Sequence, residues 1–456
     1  MTTSGSWRFD DEDEGGAGAA DGADGSGAAG RGSVGSPEVL ADPASQADLD
    51  GGPALRTRRT RRQLLLGGAA VLAGGAAWAL HRSPAPDRRR LADPQPSTAR
   101  PAPSGPKPRW TYHGDGPLAL DRLDPTPHPP LYLSGTDLIQ LDPGTGAERR
   151  RFTLPAGGSL RSCGSLLLVG DDPGKEKVRG AITAYDLDSG STDRQYATPT
   201  GAASSRGGSV TVLCCDSGTI YCLADSVVLS GSGGAPAEQD TLLAIAADTR
   251  QVRWRVPLAA DVFLGQASAV PGGRLLIGRN PGGMAMLDTA DGHQLWSVAG
   301  PNGWWSVDDQ SIYLAGGGSG LSALSVADGT AQWSAGPGAG ESWRYLAPLS
   351  ANGRLYTFAD NGVVTAKSAG AALWTYRLPF LLDARSRPLV AGGLLLVPGP
   401  LDGGVVALDA ATGALRWIFQ DGEPGVDVWS ATTDGNRLYL GHDRVLHAID
   451  PAGAQT

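Results

Sequence analysis

The segment Val405-Val-Ala-Leu-Asp409-Ala-Ala-Thr-Gly413-Ala-Leu-Arg-Trp417 decides the fold. Its first four residues are apolar, as a short buried strand requires. Asp-x-x-Thr-Gly then reads as a hairpin turn: the Asp side chain bonds nearby backbone amides, and Gly supplies a positive φ. The Trp opens a further strand, where a large flat side chain can wedge between neighbouring units and bury about 150–250 Å².

The pattern recurs along the chain. Met286-Leu-Asp288-Thr-Ala-Asp-Gly292-His-Gln-Leu-Trp296 and Ala323-Leu-Ser-Val-Ala-Asp-Gly329-Thr-Ala-Gln-Trp333 repeat it. Gly370-Ala-Ala-Leu-Trp374 and Arg250-Gln-Val-Arg-Trp254 keep the spacing with a changed turn. Leu141-Asp-Pro-Gly-Thr-Gly146, Tyr185-Asp-Leu-Asp-Ser-Gly190 and Ile449-Asp-Pro-Ala-Gly453 keep the turn without the Trp. The turn anchors 146, 190, 250, 292, 329, 370, 413 and 453 lie 44, 60, 42, 37, 41, 43 and 40 residues apart. A repeat of about 40–45 residues built from short strands is one four-stranded propeller blade. Eight turns predict eight blades; the irregular stretch between 190 and 250 leaves seven as the alternative. The last turn has no Trp strand after it, and Pro108-Arg-Trp110-Thr-Tyr112 is a Trp strand with no blade before it. Pairing the two closes the ring and removes two sheet edges.

Composition agrees. Gly (67) and Pro (33) make up roughly 22% of 456 residues, against about 12% on average. These are the two poorest helix-interior residues, so a helical bundle is excluded. The net charge of -9 is unevenly placed. Residues 1–55 carry eleven acids against two arginines, with almost no large apolar side chains, and read as a disordered acidic tail. Five arginines follow at 56–62, then an apolar run at 64–80, 17 residues that would span about 25 Å as a helix. Thr60-Arg61-Arg62-Gln63-Leu64-Leu65 resembles a twin-arginine export signal, and Ala77-Trp78-Ala79 has the small-x-small form of a cleavage site. Residues 83–108 hold eight prolines, a semi-rigid spacer of up to about 80 Å. No broad basic surface exists, so nucleic acid is not an expected partner.

The repeat, Val406-Ala-Leu-Asp-Ala-Ala-Thr-Gly-Ala-Leu-Arg-Trp417 above all, resembles the pyrroloquinoline quinone (PQQ) repeat of PQQ-like β-propellers. The resemblance covers about 110–456. That family includes quinoprotein alcohol dehydrogenases, outer-membrane assembly lipoproteins and sensor-like propellers of actinobacterial proteins, and the layout here looks like the last, a membrane-anchored or exported type. The resemblance implies that the turn Asp and the Trp are structural: Trp110, Trp254, Trp296, Trp333, Trp374 and Trp417 mark blades. It also raises a PQQ site, because quinoprotein dehydrogenases carry a disulfide between adjacent cysteines and Cys214-Cys215 is such a dipeptide. No calcium-ligand set accompanies it. Among Cys163, Cys214, Cys215 and Cys222, an ordinary disulfide such as Cys215–Cys222, or free buried thiols, is the plainer expectation.

A second regularity concerns function. Asp261-Val-Phe263, Glu341-Ser-Trp343 and Asp427-Val-Trp429 share an acid-x-aromatic form just before a blade's first strand, and Trp304 and Trp305 occupy a similar place. First strands line a propeller's axis, so these residues, with Arg344 and Arg385 nearby, are expected to ring the channel mouth as a binding funnel. The competing reading is repeat-derived contacts plus solvated acids. Asp186-Leu-Asp188-Ser-Gly190 lacks the frame of a calcium loop, the histidines show no metal-ligand spacing, and no nucleophile elbow appears.

The expectation is therefore an all-β chain: an eight-bladed (alternatively seven-bladed) β-propeller of four-stranded antiparallel blades at 109–456. It is preceded by the acidic tail (1–55), one apolar signal or anchor helix (56–82) and a Pro-rich linker (83–108). Its expected role is non-catalytic binding outside the cytoplasm, in sensing, scaffolding or envelope assembly. The partner is an unknown protein or small polar ligand, and the membrane is reached through 64–80. No catalytic residue or metal ligand is assigned. The alternative, a PQQ-dependent quinoprotein dehydrogenase, alone would bring PQQ and calcium.

Overall fold

A computed structural model describes residues 103–451 without 117–130, 135–136, 155–158, 171–180, 192–193, 198–208, 230–236, 260–262, 281–282, 301–302, 317–319, 338–340 and 426–427. The expected acidic tail, the apolar run with Ala77-Trp78-Ala79, and most of the Pro-rich linker lie outside the described residues. Within them every regular element is a strand, and no helix is long and apolar enough to cross a membrane.

The strands form eight antiparallel sheets in chain order. Blade I (131–153) has three described strands. Blades II (159–197), III (210–257), IV (263–298), V (303–335), VI (349–377) and VII (389–419) have four each. Blade VIII (430–449) contributes three strands of its own and takes Trp110–His113 as its fourth. The register runs from Trp110↔Ala448 to His113↔Val445, so the orphan Trp strand closes the ring as expected.

Each sheet is apolar on both faces, and each face is buried against a neighbour. The core divides into eight clusters, one per junction. Leu138 meets Leu167, Ile182 meets Ile220, and Leu242 meets Leu275. Met286 meets Ile312, Leu321 meets Leu355, and Tyr356 meets Leu395. Leu396 meets Leu440, and Tyr439 meets Ile139, which returns to blade I. No single blade can bury both faces alone, so the ring is the unit of stability.

The turn and the Trp are built as one device. Asp409 Oδ1 accepts from Ala411 N at 3.0 Å, Thr412 N at 2.8 Å and Thr412 Oγ1 at 2.9 Å, and Gly413 sits at φ +74°. The Trp of one blade then covers the turn glycine of the next. A Cβ on Gly413 would fall 2.5 Å from the Trp374 ring, and one on Gly292 would fall 2.7 Å from Trp254. The indole N–H donates to the carbonyl three residues before that glycine: Trp110 to Pro143 at 3.0 Å, Trp254 to Thr289 at 2.8 Å, Trp296 to Val326 at 3.1 Å, Trp374 to Ala410 at 3.3 Å. Room for the ring comes from the third strand, where Trp254, Trp333, Trp374 and Trp417 each pair with an Ala beside a bulge.

Blade I follows the same plan with a different residue. Arg150, four residues after Gly146, lies over Gly190, and its guanidinium donates to Leu187 O at 3.0 Å. Its cross-strand partner is Gln140 rather than Ala. Restoring the pattern with the double variant Gln140→Ala/Arg150→Trp should stabilise the ring by about 0.5–2 kcal/mol. Arg150→Trp alone should give no gain, because Gln140 fills the space an indole needs. Thermal unfolding midpoints check both.

The cysteines correct one expectation. Cys163, ending the first strand of blade II (Ser159–Cys163), is bonded to Cys215, ending the first strand of blade III (Val210–Cys215), with Cα atoms 6.0 Å apart. Cys215–Cys222 is not formed, because Cys215 lies opposite Ile220 while Cys222 lies opposite Val212, further along the ladder. Cys222 is buried between blades II and III, and that burial pushes its thiol up to about 12. Cys214 points the other way, toward the blade III–IV junction, as alternation along a strand requires.

Ahead of the closing strand, residues 103–105 run along the outer edge of blade VII. Gly105 N donates to Ile418 O at 2.8 Å, and Ile418 N donates to Pro103 O at 3.1 Å, in a parallel bridge. The N-terminal segment therefore spans two blades.

Candidate functional site

The loops leading into first strands and the hairpins between second and third strands share one face of a propeller. Here the loop 341–346, the hairpin 358–362 and the loop 378–387 are tied into one platform. Leu346 N donates to Phe358 O at 2.8 Å, Asp360 N to Arg344 O at 3.0 Å, and Leu382 N to Asp360 O at 3.1 Å. These backbone bonds fix the side chains between them.

The predicted funnel residues divide on this platform. Trp304, on the first strand of blade V (Gly303–Val307), is 51% exposed. The Arg387 guanidinium lies 4.9 Å from its ring centroid, a cation–π contact between blade V and the loop into blade VII. Trp343 is half-buried, donates through Nε1 to Glu341 at 2.9 Å, and meets Tyr345 edge-on at 5.0 Å. Arg344 pairs with Asp360 at 3.4 Å. In the next loop Asp383 accepts from Arg385 Nε at 3.1 Å, and that bond holds its carboxyl below the usual range.

Two predicted residues do not belong to the funnel. Trp305 is 7% exposed; its indole donates to Ser268 Oγ at 3.0 Å, between blades IV and V. Trp429 is 1% exposed, donates to Leu401 O at 3.0 Å and meets Phe419 edge-on at 5.7 Å. Both are core residues of blade junctions rather than ligand contacts. Asp261 and Asp427 lie outside the described residues. Phe263 begins the first strand of blade IV (Phe263–Val270), and its side chain is not described.

Sequence reasoning missed Arg387, Leu381 and Ser386. Leu381 is 71% exposed although Leu382 beside it is buried, so the loop holds an apolar side chain outward. Ser386 is buried, and its hydroxyl has no hydrogen-bond partner among the described residues. The adjacent pair Leu381-Leu382 carried a signal: on a pinned loop both cannot turn inward. A cleft of about 660 Å³, lined by Pro106, Lys107, Phe380, Asp402 and Gln420, lies between the N-terminal segment and the start of the loop 378–387 and includes none of the predicted funnel residues. Among the described residues no group of three His, Cys, Asp or Glu is arranged to hold a metal ion.

A ring of Asp-turn blades wedged by outer-strand Trp residues defines a PQQ-like β-propeller. The comparisons support that family: the family model described as outer membrane protein assembly factor BamB matches residues 238–344 and 336–456. No curated protein matches. Among solved structures, a computationally designed protein, Ika8, is similar at 11% identity and a TM-score of 0.53, over 76% of this chain and 99% of that one. The C-terminal WD40 domain of Sif2 is similar at 12% identity and a TM-score of 0.51, over the same shares. BamB from Moraxella catarrhalis is similar at 16% identity and a TM-score of 0.44, over 75% of this chain and 90% of that one. The first two share the propeller fold.

Proposed function

We propose that this chain is a non-catalytic propeller scaffold. It binds a protein partner through the platform around Trp304, Leu381 and Arg387, outside the cytoplasm, and is held to the membrane by 64–80. The observation that carries the reading is the exposed Trp304 ring with Arg387 stacked on it, Arg387 coming from the same loop that holds Leu381 outward. Aromatic and Arg groups are the usual anchors of protein interfaces. The matching family model, described as an assembly factor, supports a scaffold role in envelope assembly. The Cys163–Cys215 bond fits an oxidising compartment. The dehydrogenase alternative fits less well, because Cys215 is bonded to Cys163 and not to its neighbour Cys214.

The test is affinity capture from host membranes with the full chain, comparing wild type with Trp304→Ala and Leu381→Glu. Each variant should lower recovery of the captured partner by about tenfold, the effect of losing one anchor of about 1.4 kcal/mol. Exposed positions should change stability by no more than about 0.5 kcal/mol. Equal recovery from both variants would remove the platform from consideration.

A further inference from the structure

The seam where the ring closes holds a buried cluster that the binding platform does not use. Asp421, in the loop leaving blade VII, accepts two hydrogen bonds on one oxygen: His442 Nε2 lies 2.9 Å from Oδ2 and His447 Nε2 lies 2.7 Å from it. The second nitrogen of His442, Nδ1, lies 3.0 Å from Asp443 Oδ2. That of His447 lies 3.0 Å from Thr111 Oγ1, across the strand pair that closes the ring. The two imidazoles are 0% and 4% exposed. Trp429 covers His442 at 4.4 Å, and Phe419 meets His447 edge-on at 5.2 Å. Gly425 closes over the Asp443–His442 pair, where a side chain would collide with both. The other titratable or charged neighbours are His113 on the closing strand, Arg444 beside Asp443, and Glu423, whose backbone N–H donates to Asp421 Oδ1 at 2.9 Å.

The two histidines have different surroundings. An ionised carboxylate oxygen only accepts hydrogen bonds. His442 lies between two carboxylates, Nε2 toward Asp421 and Nδ1 toward Asp443. His447 faces one carboxylate and one hydroxyl. A single proton on Nε2 satisfies Asp421, and Nδ1 accepts from Thr111. A second proton on His447 would create a buried cation whose Nδ1 faces only the Thr111 hydroxyl.

We propose that this seam is a pH-sensitive latch. The buried His442 ring ties the loop leaving blade VII to blade VIII, and protonation of His447 in acid loosens the closing strand Trp110–His113. The proposal does not depend on the binding platform.

The direction of the effect follows from the surroundings. Burial lowers His447 below its ordinary 6.5 against the opposing pull of Asp421, and His442 and His113 lower it further. The unfolded chain therefore takes up a proton that the closed seam resists. Stability is full above 6.5 and falls as pH drops below it. Burial alone would raise Asp421, but bonds from His447, the Glu423 amide and His442 outweigh it and leave the carboxyl lowered from 3.8. Asp421 thus adds a further loss only in stronger acid.

The experiment uses the full chain with isotope-labelled histidine. Near pH 7.5, His447 should show one protonated ring nitrogen. Amide exchange at Trp110–His113, corrected for intrinsic rate, should be faster near pH 5.5 than near pH 7.5, by up to about tenfold, the limit set by one pH unit below the ordinary 6.5. Exchange at Gly303–Val307 should not change. His447→Gln keeps a donor for Asp421 but cannot become charged, so it should abolish the acid effect. A His447 that carries two ring protons near pH 7.5, or an acid effect that persists in His447→Gln, overturns the proposal. If His447→Gln does not fold, the wild-type ring titration decides: a His447 that stays neutral while the strand loosens overturns it equally.

Discussion

Trp429→Ala should lower the unfolding free energy of the ring by about 3–5 kcal/mol, the range for truncating a fully buried Trp. The indole is 1% exposed, packs against Phe419 and His442, and is the donor to Leu401 O. Its removal opens a cavity and leaves that carbonyl without this donor, two costs that add. The urea midpoint measures the effect. Trp304→Ala is the matched control, since the same truncation at a 51% exposed position should barely move the midpoint. A Trp429→Ala midpoint within experimental error of wild type would mean that Trp429 is not a core residue of the blade VII–VIII junction.

Cys163→Ser/Cys215→Ser should lower stability by about 4 kcal/mol on the chain-entropy view of a loop of this size. The bond closes a sequence separation of 52 residues and joins the innermost strands of two blades. The loop it closes, 163–215, takes in the first part of the stretch between 190 and 250 where the repeat is least regular. Reducing agent should reproduce the loss in the wild type and leave the double variant unchanged. A wild type whose midpoint ignores reductant would show that the bond does not form in solution.

The blade pattern was legible because it depends on local chemistry. Asp409, Thr412 and Gly413 make a turn whose bonds stay within five residues, and Trp417 sits at a fixed offset from them. Arg150 escaped notice because it shares the position of a Trp but not its chemistry; four residues after Gly146 was the available signal. The disulfide was not legible. Cys163 and Cys215 meet across a blade junction, and nothing local specifies which strand faces which. Which of the predicted funnel residues are exposed was legible only in part, for a geometric reason. Trp304 and Trp305 are neighbours on one strand, so they must face opposite ways, and only the assembled ring decides that Trp304 is the accessible one. Trp429 follows the same acid-x-aromatic spacing as Trp343, yet one is buried and the other half-buried. Arg387 joins Trp304 through a contact between blades V and VII, which no repeat spacing encodes.

The closing strand also sets an order of events during synthesis. Trp110 pairs with Ala448, so its partner leaves the ribosome more than three hundred residues later. Blades II to VII can assemble from contacts between neighbouring hairpins as each emerges. The strand at 110–113 must wait, and the contact with the longest sequence separation is made last and most slowly. Until then the chain carries an exposed strand edge capable of pairing with another copy. Arg109, which ends up bonded to Asp450 at 2.6 Å, stands beside that edge while it waits, and a charge next to an open edge discourages the wrong pairing.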